Sequence, residues 1–298
     1  MSIAGGAWAA ALTPLKDDLS IDFEAAAAHC RWLLANGAAG VVVLGTTGEA
    51  NSFSLDERKA LIAHLARSGL PSARVIVGTG CCSAPETIAL TRAALDAGYF
   101  NVLMLPPFYY KNVSDDGLFS AYARVIEGVG ARALRVLIYD IPPQTGFALS
   151  VDLLRRLRNA FPETVVGVKN SSGDWSAMDA ALKAMPGFQV FAGSEAFLLA
   201  TLRAGGPGCI SALANVTSTQ LGALMEQWRS EGAEALQAAA VARRAALSKF
   251  PTIAALKEIM AQRTGRDAWR NIRPPLIPLD AAQRGAVRDI ASTLELSL

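Results

Sequence analysis

The chain has 298 residues, 52% hydrophobic and 18% charged, with 28 lysines and arginines against 26 aspartates and glutamates; this composition excludes disorder and suits a packed globular protein. A net charge of +2 with no basic cluster gives little field to attract nucleic acid or an anionic membrane surface. The two histidines, His29 and His64, lie in helix-like stretches at no metal-ligand spacing, so a His-rich zinc site is excluded as well.

Cysteines 30, 81, 82 and 209 show no C-x-x-C spacing, as expected of reduced thiols in a cytoplasmic protein. No basic residue precedes Lys16, so neither a secretory signal nor a transit peptide is expected. The longest uncharged run, 204–225, is broken by Gly205-Gly206-Pro207-Gly208 and Asn215, which argues against a membrane span.

In chain order, apolar runs of strand character fall at 7–12, 40–44, 74–78, 101–105, 135–140, 165–169, 189–192 and 208–211. Between them lie stretches of helical period at 22–35, 54–67, 85–97, 115–129, 150–159, 174–185 and 195–204. Val41-Val42-Val43-Leu44 is apolar on both faces, as a parallel strand covered by helices must be. Ser54 and Glu57 are spaced for a reciprocal capping box. This rhythm predicts an α/β fold, a (β/α)8 TIM barrel over residues 1–222 that carries the active site. Past Thr217 the strand signal stops, and 218–230, 233–249, 252–264 and 280–296 predict the helices of a C-terminal helical region, 223–298. The run 273–278 is expected to be extended, because residues before proline avoid the helical region.

Active sites of such barrels stand at the C-terminal ends of the strands. After the second strand comes Gly45-Thr46-Thr47-Gly48-Glu49, whose hydroxyls and free backbone N–H groups suit a carboxylate, or else form a tight turn. Tyr139 ends the fifth strand, in Tyr139-Asp140-Ile141-Pro142-Pro143-Gln144-Thr145-Gly146; it is either a hydrogen-bonding phenol or a packed ring. Lys169 ends the sixth. A lysine that continues a buried strand into a barrel mouth loses hydration, which favours the neutral, nucleophilic amine of a Schiff-base enzyme; the other reading is a snorkelling surface charge. Phe108-Tyr109-Tyr110 follows the fourth strand as lid or interface aromatics.

Together, Gly45-Thr46-Thr47-Gly48-Glu49, Tyr139-Asp140-Ile141-Pro142 with Thr145-Gly146, and Gly167-Val168-Lys169 resemble the pyruvate-dependent class I aldolase family. That family includes dihydrodipicolinate synthase, N-acetylneuraminate lyase and aldolases of 4-hydroxy-2-oxo and 2-keto-3-deoxy sugar acids. The resemblance runs from Ala9 to Arg273-Pro274-Pro275-Leu276. It implies that Lys169 forms an imine with a small 2-oxo acid, that Tyr139 shuttles protons, and that no metal or cofactor takes part. It further implies that Thr46 and Thr47 hold the pyruvate carboxylate, with Thr47 in the proton relay, and that Gly193 and Ile210 flank the pyruvate. Tyr109, or its neighbour Tyr110, matches a tyrosine that reaches a neighbouring subunit's site in a homo-oligomer, a dimer or homotetramer. Ser194, Glu195 and Ser211 are placed to bind hydroxyls of a longer tail, unless Glu195 merely begins a helix.

One position departs from the synthase pattern. Where the synthases carry an arginine for the aldehyde's carboxylate, this chain has Gln144, a neutral amide without a charged fork. Gly167-Val168-Lys169-Asn170-Ser171-Ser172-Gly173-Asp174, together with Ala192-Gly193-Ser194-Glu195 and Ala212-Leu213-Ala214-Asn215-Val216, looks closer to the 4-hydroxy-2-oxoglutarate or 2-keto-3-deoxy sugar-acid aldolase branch, a lyase giving pyruvate plus an aldehyde. The alternatives are a dihydrodipicolinate synthase, a sugar-acid dehydratase using the same imine, and a catalytically idle sugar-acid binder.

Overall fold

The computed structural model describes residues 2–296, so the outermost positions of the two expected regions, 1 and 297–298, lie outside the described residues. Among those described, βα units follow one another as β1 (Gly6–Ala10), α1 (Phe23–Ala35), β2 (Gly40–Val43), α2 (Leu55–Arg67), β3 (Val75–Gly78), α3 (Ala84–Asp96), β4 (Asn101–Met104) and α4 (Asp115–Val129). They continue with β5 (Arg135–Asp140), a single helical turn α5 (Pro142–Thr145), α6 (Val151–Ala160), β6 (Val165–Asn170), α7 (Trp175–Ala184), β7 (Gln189–Ala192), α8 (Leu198–Arg203), β8 (Gly208–Ser211) and α9 (Ala214–Gln227). Every ladder is parallel, and β1 pairs with β8, which closes the barrel.

Capping side chains set the helix starts. Ser54 and Glu57 form the expected box, and Ser83, Ser114, Ser150 and Asp174 each accept a first-turn N–H. The turn α5 was not expected. Pro142 supplies a preset φ at its start, and Gly146 stops it in the left-handed region.

Inward side chains at the alternating positions, Trp8, Val42, Ile76, Leu103, Leu137, Phe191 and Ile210, fill the barrel interior. The opposite faces join the helices in the larger outer core. A Cβ on Gly40 would meet the Trp8 ring at 2.2 Å, so the glycine makes room for the indole.

The C-terminal region folds as α10 (Ala233–Leu247), α11 (Thr252–Thr264) and α12 (Ala281–Thr293). Its core includes Leu256, Ile259, Trp269 and Val287, together with Leu12, Leu213 and Val216 beyond the ends of β1 and β8. The extension thus sits on the end of the barrel at which the strands finish. Helix α9 spans position 222 and ends at Gln227. No described helix is long and apolar enough to cross a membrane.

Candidate active site

The C-terminal ends of β2, β5, β6 and β7 open into a cavity of about 560 Å3. Lys169 is buried there; its Nζ donates to Tyr139 Oη at 3.1 Å and lies 4.3 Å from the centre of the phenol ring. Tyr139 Oη is also 3.4 Å from Thr46 Oγ1. Burial by itself pushes a phenol up, but the Lys169 charge and hydrogen bonds with Thr46 and Lys169 outweigh it and hold Tyr139 below the ordinary tyrosine range.

The threonine turn is held in an unfavourable shape. Leu44 and Glu49, which bracket it, both have left-handed backbones with φ of 56°, a conformation costing roughly 1–2 kcal/mol per residue with a side chain. Two features hold it there. A Cβ on Gly78 would meet the Leu44 carbonyl oxygen at 2.0 Å, so glycine alone lets β3 approach. The buried Glu49 carboxylate pairs with the equally buried Lys257 of α11 and accepts the Arg273 N–H at 3.0 Å. Across the cavity, the Gly193 N–H donates to the Asn170 carbonyl at 2.6 Å, where a Cβ would overlap Ser171.

Thr46, Thr47, Tyr139, Gln144, Lys169, Gly193 and Ser194 line this cavity together. Ile210 and Ser211 do not. Ile210 is packed into the barrel interior, and Ser211 is fully buried with its hydroxyl on the Glu195 carboxylate. Glu195 is buried as well, so neither side chain reaches a substrate tail. Tyr109 and Tyr110 stand outside the cavity, 71% and 73% exposed, their rings edge to face at 5.3 Å.

The wall also includes Arg244 of α10, Thr252 and Ile253 of α11, and Pro275, Leu276 and Ile277 from the segment before α12. A survey of strand ends does not reach these residues, since they come from outside the eight βα loops. The available signal was the apolar, proline-rich run 274–278, too short for a core helix. His29 lies elsewhere, on α1. Its Nε2 is 2.7 Å from Asn215 Oδ1, and because the Asn215 amide nitrogen donates to the Ala10 carbonyl, the imidazole is the donor. Burial lowers His29 to about 3, which keeps it neutral. Among the described residues no three His, Cys, Asp or Glu side chains gather as a metal site would require.

The profile of the dihydrodipicolinate synthetase family matches residues 4–294. An uncharacterised DapA-like lyase of Chloroflexus aurantiacus is 33% identical over 286 residues, 95% of this chain and 94% of that protein. The crystal structure of dihydrodipicolinate synthase from Agrobacterium tumefaciens superposes with a TM-score of 0.90 at 35% identity, covering 97% of this chain and 99% of that one. YagE, an Escherichia coli prophage protein of the dihydrodipicolinic acid synthase family solved in complex with pyruvate, gives 0.89 at 26% identity, covering 98% and 99%.

Proposed function

Because the chain belongs to the dihydrodipicolinate synthetase family, we propose that it is a lyase that makes or breaks a carbon–carbon bond beside pyruvate through an imine on Lys169. The observation that carries this reading is the 3.1 Å contact between Lys169 Nζ and Tyr139 Oη inside the cavity. A buried amine next to a polarised phenol supplies a nucleophile and a proton carrier without histidine.

In this mechanism the Lys169 amine attacks the C2 carbonyl of a 2-oxo acid, and loss of water leaves a cationic imine. With a 4-hydroxy-2-oxo acid bound, Tyr139 removes the C4 hydroxyl proton and the C3–C4 bond breaks. The aldehyde leaves, and the electron pair enters the imine as an enamine, which is protonated at C3 and hydrolysed to pyruvate. Condensation is the reverse. Thr46 and Thr47 hold the carboxylate, with Thr47 in the proton relay, and the Gly193 backbone lies against the pyruvate. The scheme uses no cofactor or metal.

Gln144 on the cavity wall favours cleavage of a 4-hydroxy-2-oxo acid, since it offers no charged fork where a synthase needs one. The name of the Agrobacterium relative favours the second reading, dihydrodipicolinate synthesis. In the assembly we propose, a dimer or tetramer, Tyr109 or Tyr110 reaches the neighbouring subunit's site; their exposure supports this.

Borohydride reduction in the presence of pyruvate is expected to add one reduced pyruvyl group to the wild-type protein and none to Lys169→Ala, read by intact-protein mass. Absence of labelling in wild type would overturn the imine; saturable binding without labelling or turnover would make the chain an idle binder. Pyruvate release from 4-hydroxy-2-oxo acids, compared with condensation on aspartate semialdehyde, separates aldolase from synthase.

A further inference from the structure

Arg244 and Lys169 are the only charged side chains among the described residues on the wall of the cavity. No aspartate or glutamate lines it. Arg244 comes from α10, outside the barrel, and is anchored from behind: its Nη1 donates to the two Glu195 carboxylate oxygens at 3.3 and 3.5 Å. Glu195 is 1% exposed while the Arg244 side chain is 38% exposed. The negative end of the pair is therefore buried and the positive end faces outward.

The anchor is itself fixed. The Ser211 hydroxyl donates to Glu195 and accepts the Leu213 N–H at 3.0 Å. Two helical turns before Arg244, Gln237 Nε2 donates to the carbonyls of Glu195 and Ala196 at 3.0 and 3.1 Å, and its Oε1 accepts the Leu199 N–H at 2.9 Å. Helix α10 is thus clamped to the loop after β7, and little conformational freedom remains to be lost when a ligand meets the guanidinium. Arg244 Nε and Nη2 make no hydrogen bond to the described residues. They form a free edge of the fork, the geometry that matches a planar carboxylate.

The volume suits a ligand longer than pyruvate. A cavity of about 560 Å3 is many times the ~30 Å3 share of one water, so space remains beyond the three carbons next to Lys169. Gln144 can hydrogen-bond in that space but cannot neutralise a charge.

We propose that Arg244 receives a second carboxylate at the far end of the substrate, so that the preferred 2-oxo acid is a dianion gripped at both ends. The threonine turn takes one carboxylate, and Arg244 on its Glu195 anchor takes the other. This assignment rests on the imine reading given above and narrows it to acids with two carboxylates.

The test uses 4-hydroxy-2-oxo acids of equal length that end in a carboxylate, a hydroxymethyl group or a methyl group, assayed by pyruvate release. Wild type favours the carboxylate-ended acid in kcat/KM. In Arg244→Gln that preference over the methyl-ended acid falls roughly 10- to 100-fold, as expected for loss of a charge-assisted hydrogen bond, and the fall is carried by KM. Arg244→Lys recovers part of it. Because Arg244→Gln leaves Glu195 buried without its cation, the double variant Glu195→Gln/Arg244→Gln is run beside it and shows the same loss of preference. A labelled wild type whose preference is unchanged in both variants overturns the Arg244 assignment alone. A wild type that pyruvate and borohydride do not label overturns the imine reading instead.

Discussion

Tyr139 and Lys169 are register partners in the β5–β6 ladder because β6 carries one extra residue. Val136 pairs with Val165, but Leu137 pairs with Gly167, so the ladder skips Val166 and every later residue of β6 slides by one. Side chains alternate along a strand, so without the bulge Val168 would stand beside Tyr139 and Lys169 would face the outer helices. The site therefore depends on the backbone at 166–167.

Gly167→Ala tests that dependence. A Cβ there would lie 2.2 Å from the Gln189 carbonyl oxygen and 2.9 Å from Leu137 Cδ2, and the backbone contact cannot be relieved by a rotamer change. We expect a stability loss of about 1–3 kcal/mol in urea denaturation and slower trapping of pyruvate by borohydride, since Lys169 is displaced. Trapping at the wild-type rate would mean that the bulge does not position the amine.

Tyr139→Phe keeps the ring beside Lys169 Nζ and removes the hydroxyl that Lys169 Nζ and Thr46 Oγ1 share. Borohydride labelling should persist while turnover drops on the order of a hundredfold, the usual worth of a placed proton carrier. The wild-type phenol is held below its ordinary range and acts as a base only once deprotonated, so kcat/KM is expected to rise with pH along a limb that lies below pH ~10. That limb disappears in the phenylalanine variant; its survival would assign it to another group.

The barrel was legible because eight apolar runs alternate with helical periods, and Lys169, Tyr139 and the threonine turn sit at strand ends where the fold places its chemistry. Three features were not legible, each for a physical reason. The bulge at Val166 leaves no mark in an apolar run, because Val165-Val166-Gly167-Val168 is equally strand-like in either register. Ser211 and Glu195 looked like ligands to a substrate tail, and only packing shows that they are buried under Arg244. Lys257 resembled any helical lysine, yet it is fully buried, because its partner Glu49 lies 208 residues earlier in the chain.

The Glu49–Lys257 pair gives a stability prediction. Lys257 Nζ also donates to the Asn271 carbonyl at 2.7 Å, and burial, which disfavours its charge, is opposed by Glu49. Lys257→Met strands a buried carboxylate and is expected to cost about 3–5 kcal/mol, whereas Glu49→Gln/Lys257→Met together should cost clearly less. A double-mutant cycle in urea measures the difference; simple additivity would show that the pair is not coupled. The single variants should also bind pyruvate more weakly, because Glu49 pins the turn that carries Thr46 and Thr47.

Glu57 and Arg273 give the pH dependence. The Arg273 guanidinium bonds the Glu57 carboxylate and, with burial opposing and the Ser54 N–H assisting, lowers Glu57 to about 2 from the 4.5 of an isolated side chain. A depressed carboxylate stabilises the folded state above its unfolded pKa and loses that contribution as pH falls toward the folded value. The contribution is therefore complete above pH ~5 and fades toward pH ~2. With a third of the Glu57 side chain exposed, solvent screening reduces it to about 1–2 kcal/mol. Glu57→Gln isolates this charge effect, because glutamine can still accept the Ser54 N–H that Glu57 accepts at 2.8 Å in the capping box of α2. Urea denaturation should find the variant about 1–2 kcal/mol less stable than wild type at pH 7 and nearly equal to it close to pH 2. A gap of the same size at both pH values would mean that the loss comes from packing against Arg273 rather than from the charge.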